Sequence, residues 1–200
     1  MDKNNKSTLR KRADEIKNLR CKNLIAVLEN PMDIINIGTV VRNVNALGVE
    51  KLYVVDPYWS LPDDWEDMRE KTILSKKSVS AIKWTFVKTF KSTEDCFDHL
   101  EKNWFTSAVT SPHIKWKNNI ILHEADYTKN KLAIWFWSES QGISDIAVER
   151  STFCINIPMC GIIESLNLAT STGIILYEAT KQRRALRKQK QIEKWISSKK

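Results

Sequence analysis

The chain has 200 residues, of which 42% are hydrophobic, and it carries a formal net charge of +8. This length suits one globular α/β domain, and the absence of an apolar run of roughly 20 residues or of a signal-peptide core argues against a membrane partner. The cysteines form no C-x-x-C pair and have no nearby histidine pair, so we expect a cytoplasmic chain with reduced thiols and no bound metal.

The hydrophobic pattern predicts alternating helices and strands. A basic helix at 7–22 precedes a buried strand at 23–29, a helix at 36–47 and a second buried strand at 51–55. This strand–helix–strand order predicts a parallel sheet. A Trp- and Asp-rich loop and a mixed helix–strand region to about residue 90 follow. The remaining predicted elements are a helix at 94–102, strands at 105–110 and 132–137, a short helix at 144–149, a strand at 153–157 and a long helix at 166–190.

The excess positive charge lies at the two ends of the chain. Residues 1–22 have eight Lys and Arg against three acids, and residues 181–200 have nine against one, so residues 23–180 are slightly acidic. Basic arms attract phosphate backbones, although the same composition fits tails that are only solvated. We predict a basic N-terminal helical arm at 1–22, one α/β domain at 23–180 and a basic C-terminal helical arm at 181–200.

A first polar segment follows the first strand and reads Asn36-x-Gly38-x-x-x-Arg42, with Gly48 six residues later. Asn36 is predicted to cap the helix, and Gly38 indicates a close approach by another backbone or a ligand. Gly48 is a natural C-terminal stop. The guanidinium of Arg42 suits a phosphate or a developing oxyanion. The alternative is that Arg42 pairs with a carboxylate on the helix surface.

A second polar segment follows the strand at 132–137. Glu139 stands in a bend at the carboxyl end of that strand, where α/β sheets place ligands. The alternative is a capping turn in which Ser144 starts the next helix.

The third and most informative segment runs from 157 to 178. Pro158 ends the strand, a polar bend follows, and an apolar helix begins at Ser165-x-Asn167. Such a bend can hold a small polar ligand through main-chain groups. The alternative is an ordinary strand–loop–helix unit in which Ser165 is the cap.

In order and spacing, N-x-G-x-x-x-R-x5-G, S-E-x-x-G and I-P-M-x-G-x-x-x-S-L-N-L resemble the motifs of TrmH-type SPOUT RNA ribose 2′-O-methyltransferases, over residues 8–196. The resemblance implies a SPOUT fold with a C-terminal deep trefoil knot, a homodimer, and S-adenosylmethionine as cofactor. Both termini resemble those of the tRNA D-loop methylators, which act on the guanosine at tRNA position 18. Ribosomal RNA or another tRNA position is the alternative substrate.

The resemblance also assigns roles to individual residues. Arg42 is implied as the central catalytic residue, supported by Asn36, Glu139, Ser165 and Asn167. The implied cofactor contacts are Thr110, Trp137, Ser138, Gly142, Ile157, Met159, Ser165 and Leu166. The candidate RNA contacts on the two arms are Arg10, Lys11, Arg12, Arg183, Arg184 and Arg187.

One departure from the family pattern bears on function. Trp137 stands where the family usually has glycine, and its side chain must point away from the cofactor or fill part of the pocket. An RNA-binding homologue with weakened catalysis is therefore a rival hypothesis. A different α/β enzyme that uses Glu139 as acid or base is a third.

Overall fold

The computed structural model describes residues 8–58, 67, 70, 72–112, 118–137 and 142–199. Within these residues seven strands form one sheet: β1 (Cys21–Glu29), β2 (Val49–Val55), β3 (Phe86–Phe90), β4 (Thr106–Thr110), β5 (Asn119–Ile121), β6 (Leu132–Phe136) and β7 (Phe153–Asn156). The strands are arranged in the order β3-β2-β1-β6-β4-β7-β5, and every neighbouring pair is parallel. The predicted parallel sheet is confirmed.

Helices flank this sheet. In the described ranges they are α1 (Thr8–Ile16), α2 (Ile34–Ala46), α3 (Thr72–Lys77), α4 (Thr93–Lys102), α5 (Asp145–Glu149) and α6 (Leu168–Ser197), with 3-10 helices at Lys17–Leu19 and Ala81–Trp84. None of the helices described combines the length and the hydropathy that a membrane span requires.

Both faces of the sheet are buried. Leu24 of β1 packs in a cluster with Val41 of α2 and Leu176 of α6. The next residue, Ile25, packs in a second cluster with Phe97 of α4. Successive side chains of a strand point to opposite faces, so a strand covered on both sides is apolar throughout. The continuous apolar run of β1 has this cause.

The start of α2 differs from the prediction. The helix begins at Ile34, because the Asp33 side chain accepts a hydrogen bond of 2.8 Å from the Ile35 N–H. Asn36 therefore lies inside the first turn, and its predicted capping role is wrong. An aspartate that accepts from an N–H two residues later is a favoured N-cap, and it fixes the earlier start.

Two glycines shape α2 and its C-terminal end as predicted. A Cβ atom on Gly38 would lie 2.6 Å from the Cβ of Lys77, so only glycine lets α3 approach α2 this closely. Gly48, which follows the helix, has φ +78°, the left-handed conformation that ends helices.

The last helix, α6, is a single element that continues well past the predicted residue 190. It begins at Leu168 because the Asn167 side chain, and not that of Ser165, accepts from the first free N–H groups. The proposed boundary between domain and C-terminal arm, at residues 180 and 181, falls within this continuous helix.

Two strands were not individually predicted. β3 lies in the region interpreted only as mixed helix and strand, and β5 has three residues at one edge of the sheet. A strand this short leaves too little alternation to be detected from sequence.

The environment of His99 predicts a pH-dependent stability. Its Nε2 lies 3.3 Å from the Tyr53 hydroxyl and its Nδ1 lies 3.4 Å from Lys88 Nζ. Burial, and then the charge of Lys88, lower the pKa of His99 below its ordinary value of 6.5. The folded state thus binds fewer protons than the unfolded state, so stability falls as the pH drops through about 6.5. Urea unfolding at about pH 7.5 and 5.5 should show this loss, and His99→Gln should diminish it.

Candidate active site

The first and third sequence motifs meet at the junction of α2 and α6. Asn167 Nδ2 donates to Asn36 Oδ1 at 3.1 Å, across 131 positions of sequence. The Asn167 Oδ1 atom simultaneously accepts from the N–H groups of Ala169 and Thr170, at 2.9 and 3.3 Å. Asn167 therefore caps α6 and fixes that cap to α2.

A second asparagine, which the sequence analysis left without a role, extends this junction. Asn43 Nδ2 donates to the Ala169 carbonyl at 2.8 Å, and a Cβ on Gly173 would approach the same amide to 3.3 Å. Asn43 lies seven residues after Asn36, which places both on one face of α2. The seven-residue spacing between Asn36 and Asn43 was the sequence feature that could have indicated this role for Asn43.

Arg42 lies on a different face of the same helix. Six residues separate it from Asn36, so the two side chains point about 120° apart around the axis. Arg42 is exposed, and so is Ile35, which lies two turns earlier on the same face of the helix. Among the residues that the structure describes, its guanidinium has no hydrogen-bond partner. The group is therefore accessible to a charged ligand without first breaking a described ion pair.

The bend between β7 and α6 is open. Ser165 is exposed, whereas Ile157, Met159 and Leu166 are half-buried. Within the described part of the chain, the main-chain N–H groups of residues 159–166 make no backbone hydrogen bond. A segment with free donors and acceptors at the carboxyl edge of a parallel sheet is suited to a polar ligand.

The neighbouring strand ends carry the other predicted cofactor contacts. Thr110 is buried at the end of β4, where it pairs in register with Ile155 of β7, and its hydroxyl donates to the Trp135 carbonyl at 2.8 Å. Gly142 has φ +74°, and no atom lies within 4 Å of a Cβ placed on it. Trp137 is 9% exposed, so its ring points into the protein. Ser138 and Glu139 lie outside the described residues.

Glu29, at the end of β1, is a buried carboxyl group that the sequence analysis did not single out. It is 1% exposed and accepts from the Thr93 hydroxyl at 2.6 Å. It also accepts from the hydroxyl and the N–H of Ser144, at 2.7 and 2.9 Å. Ser144 caps α5, as the alternative interpretation of the second segment expected. Glu29 thus connects the end of the second motif to β1 and α4. An acidic residue at the end of an apolar strand was the sequence feature that could have indicated this role.

The predicted RNA contacts lie around the second half of α6. Arg10, Lys11, Arg12 and Arg184 are exposed. Arg183 is half-buried and donates to the Lys129 carbonyl, and burial lowers its pKa. Arg187 donates to the Asn18 carbonyl. The structure therefore assigns Arg183 and Arg187 contacts that hold α6 in place.

Two grooves flank this part of α6. One, of about 620 Å³, separates it from α1 and includes Arg12, Arg184 and Lys188. The other, of about 500 Å³, separates it from the first residues of β1 and includes Lys22, Lys190 and Lys194. Both lie at the amino ends of the strands and carry cationic walls. In the described ranges, no group of three or more His, Cys, Asp and Glu side chains is placed to bind a metal.

Comparison with known proteins identifies this arrangement. The chain is 28% identical to the tRNA (guanosine(18)-2′-O)-methyltransferase of Thermus thermophilus over 87% of its own length and 82% of the relative's. It matches the crystal structure of the TrmH/SpoU tRNA modifying enzyme of Aquifex aeolicus with a TM-score of 0.72 and 28% identity, over 90% and 86% of the two chains.

A further match supports the fold alone. The SpoU methyltransferase AviRb of Streptomyces viridochromogenes, solved in complex with the cofactor AdoMet, has a TM-score of 0.68 and 23% identity, over 83% of this chain and 62% of that one. The model of the SpoU rRNA Methylase family matches residues 23–177. This match agrees with the hydrogen bond that joins the motifs of Asn36 and Asn167, and the chain therefore belongs to the SpoU rRNA Methylase family.

Proposed function

We propose that this protein transfers the methyl group of S-adenosylmethionine to a ribose 2′-hydroxyl of RNA, and that its substrate is the D-loop guanosine at position 18 of tRNA. Family membership supports the reaction, and the tRNA methyltransferases among its relatives support the substrate. The observation that carries the proposal is the Asn36–Asn167 hydrogen bond, which joins two motifs of the family beside an open bend.

The residues of the bend fit the cofactor. When bound, S-adenosylmethionine supplies an electrophilic methyl group on a sulfonium ion. Its adenine and carboxylate need hydrogen-bond partners, which the main chain of residues 158–166 offers. A Cβ placed on Gly142 or Gly161 meets no atom within 4 Å, so both glycines border open space. We propose Thr110, Gly142, Ile157, Met159, Ser165 and Leu166 as contacts, together with Trp137 and Ser138.

We propose that Arg42 stabilises the developing alkoxide of the ribose or the adjoining phosphate. A ribose hydroxyl is a poor nucleophile at neutral pH, so the site must lower the energy of its deprotonated form and hold it in line with the methyl group. Arginine stays protonated in proteins, which favours electrostatic stabilisation over proton removal. Asn36, Asn167 and Ser165 would order the surroundings, and Glu139 would pair with Arg42.

The proposed trefoil knot and homodimer have support in the topology and surface. β6 is inserted between β1 and β4, and the chain leaving β7 returns to pack α6 on α2, a path compatible with threading. Large apolar side chains are exposed just before α2, on α2, on the bend and on α6, and a second copy would cover them (Met32, Ile35, Ile162, Ile163, Ile174 and Tyr177). We also propose that the protein is cytoplasmic.

Two experiments test the proposal. Ribose methylation should be mapped in RNA from cells with and without the protein, and position 18 of tRNA should lose its methyl group in the cells that lack it. In vitro, a tRNA that carries 2′-deoxyguanosine at position 18 should accept no methyl group, whereas the matched all-ribose tRNA should. Equal incorporation into both would contradict the assigned position.

The buried side chain of Trp137 bears on the rival hypothesis, in which the protein binds RNA but has weakened catalysis. Trp137 places a buried indole directly before the second motif, at a position where the family usually has glycine and therefore no side chain. Calorimetric titration with S-adenosylmethionine separates the hypotheses. Micromolar binding supports the enzyme, while millimolar or absent binding with firm tRNA binding supports an RNA-binding homologue.

We predict that the outer lysines of α6 contribute a salt-dependent part of tRNA affinity. Lys190 and Lys194 line one groove and are exposed, so Lys190→Gln with Lys194→Gln should flatten the slope of log K against log salt by about 1.5. Fluorescence anisotropy at several salt concentrations measures this slope. The same exchange at Lys76 and Lys91, exposed residues that line neither groove, is the control. An unchanged slope in the first variant would exclude the role.

A further inference from the structure

Trp104 follows α4 in an unusual conformation. Its φ is +62°, in the left-handed region. The Phe105 N–H donates to the Leu100 carbonyl at 2.9 Å and the Trp104 N–H donates to the Glu101 carbonyl at 2.8 Å. This pair of bonds is the Schellman motif, in which the left-handed position is usually glycine.

A tryptophan is an unfavourable residue for this position. Bulky side chains are strained at positive φ, and the strain is tolerated where the surroundings or a function compensate for it. Burial of the ring does not compensate here, because Trp104 is 83% exposed. A strained aromatic ring that faces solvent is available to a partner.

The surroundings of the ring are cationic. Trp104 lines a concave surface that encloses a volume of about 570 Å³, together with Thr106, Lys129, Asn130 and Lys131. Lys131 Nζ donates to the Asn103 carbonyl at 2.9 Å, which fixes this ammonium group next to the main chain of residue 104, on the same concavity as the indole. No acidic side chain lines this surface among the residues described.

This surface adjoins the groove between β1 and α6. Asn130 lines both concavities, and its Oδ1 accepts from Asn23 Nδ2 at 3.2 Å at their boundary. The cationic wall therefore extends from Lys194 on α6, past Lys22, to Lys131 beside the exposed ring. Alternating cations and an aromatic face are the features that bind unpaired nucleotides, through phosphates and base stacking.

We propose that Trp104 is a stacking platform for an unpaired base of the RNA substrate, with Lys129 and Lys131 beside the flanking phosphates. The inference rests on the proposed function, because it extends the RNA surface of the same protein. Trp104 precedes β4 at the amino ends of the strands, whereas the bend at 157–167 follows β7 at their carboxyl ends. The stacked base is therefore not the methylated nucleotide, and the site contributes to RNA affinity and not to the methyl-transfer step.

The test uses Trp104→Gly in the full chain, with tRNA as the probe. Loss of one base–aromatic stack should raise the Kd for tRNA about tenfold. The single-turnover methylation rate at saturating tRNA should stay at the wild-type value. Because glycine suits the left-handed position, the melting temperature should rise by about 2 °C. Trp104→Phe, which keeps an aromatic face, should retain most of the affinity.

Val79 provides a matched control. It has φ +51°, is 64% exposed and occupies the same Schellman position after α3, with the Ser80 N–H donating to the Ser75 carbonyl at 2.8 Å. Val79→Gly should relieve the same strain and leave the Kd for tRNA unchanged. An unchanged Kd in Trp104→Gly, while the wild type binds and methylates tRNA, overturns the stacking site alone. Failure of the wild type to bind RNA overturns the proposed function and the stacking site together.

Discussion

Replacing Arg42 by alanine is expected to reduce the single-turnover rate of methyl transfer by about 100- to 1,000-fold. This is the usual cost of removing one group that stabilises a developing oxyanion. The affinity for S-adenosylmethionine should change little, because the proposed cofactor contacts lie in the bend and strand ends and not on the exposed face of α2. The measurements are rapid-quench methylation of tRNA and calorimetric titration of the cofactor.

Arg42→Lys is the matched control for charge. Lysine keeps the positive charge but lacks the planar fork that contacts two oxygens at once, so an intermediate rate is expected. The fold should be unaffected in both variants, since Arg42 is exposed and alanine and lysine are good helix formers. Near-normal turnover in Arg42→Ala would reject the role of Arg42 and favour chemistry based on Glu139.

The fold was predictable where local pattern decides it. The apolar runs that became β1 and β2, the left-handed stop at Gly48 and the close approach at Gly38 follow from residue type and spacing alone. In each case, the informative residues are contiguous or lie on one helical turn.

The remaining features depend on long-range packing. Whether Asp33 or Asn36 caps α2 depends on where the chain leaves β1, since both side chains suit the role. In sequence, Arg183 does not differ from its basic neighbours. In the structure it is half-buried and donates a hydrogen bond to the carbonyl of Lys129, which is 54 positions away. The order of β6 between β1 and β4 involves pairings between residues more than 100 positions apart, which no local periodicity records.

Replacing Glu29 by alanine is expected to lower the free energy of unfolding by about 3 kcal/mol. Three donors, from Thr93 and Ser144, would lose their acceptor inside the protein, and buried donors without an acceptor cost about 1–3 kcal/mol each before relaxation. Urea unfolding, followed by circular dichroism, measures the loss. A change below about 1 kcal/mol would show that water or rearrangement replaces the carboxyl group.

Thr93→Val separates the specific contact from the effect of an altered core. It removes one donor at nearly constant volume, so a double-mutant cycle with Glu29→Ala should give a coupling energy of about 1 kcal/mol or more. Arg42 and Glu29 thus predict opposite patterns. The exposed guanidinium should control the rate with little effect on stability, and the buried carboxyl group should control stability. Since Glu29 also holds the end of the second motif through Ser144, its loss should additionally weaken cofactor binding, which Arg42→Ala should leave intact.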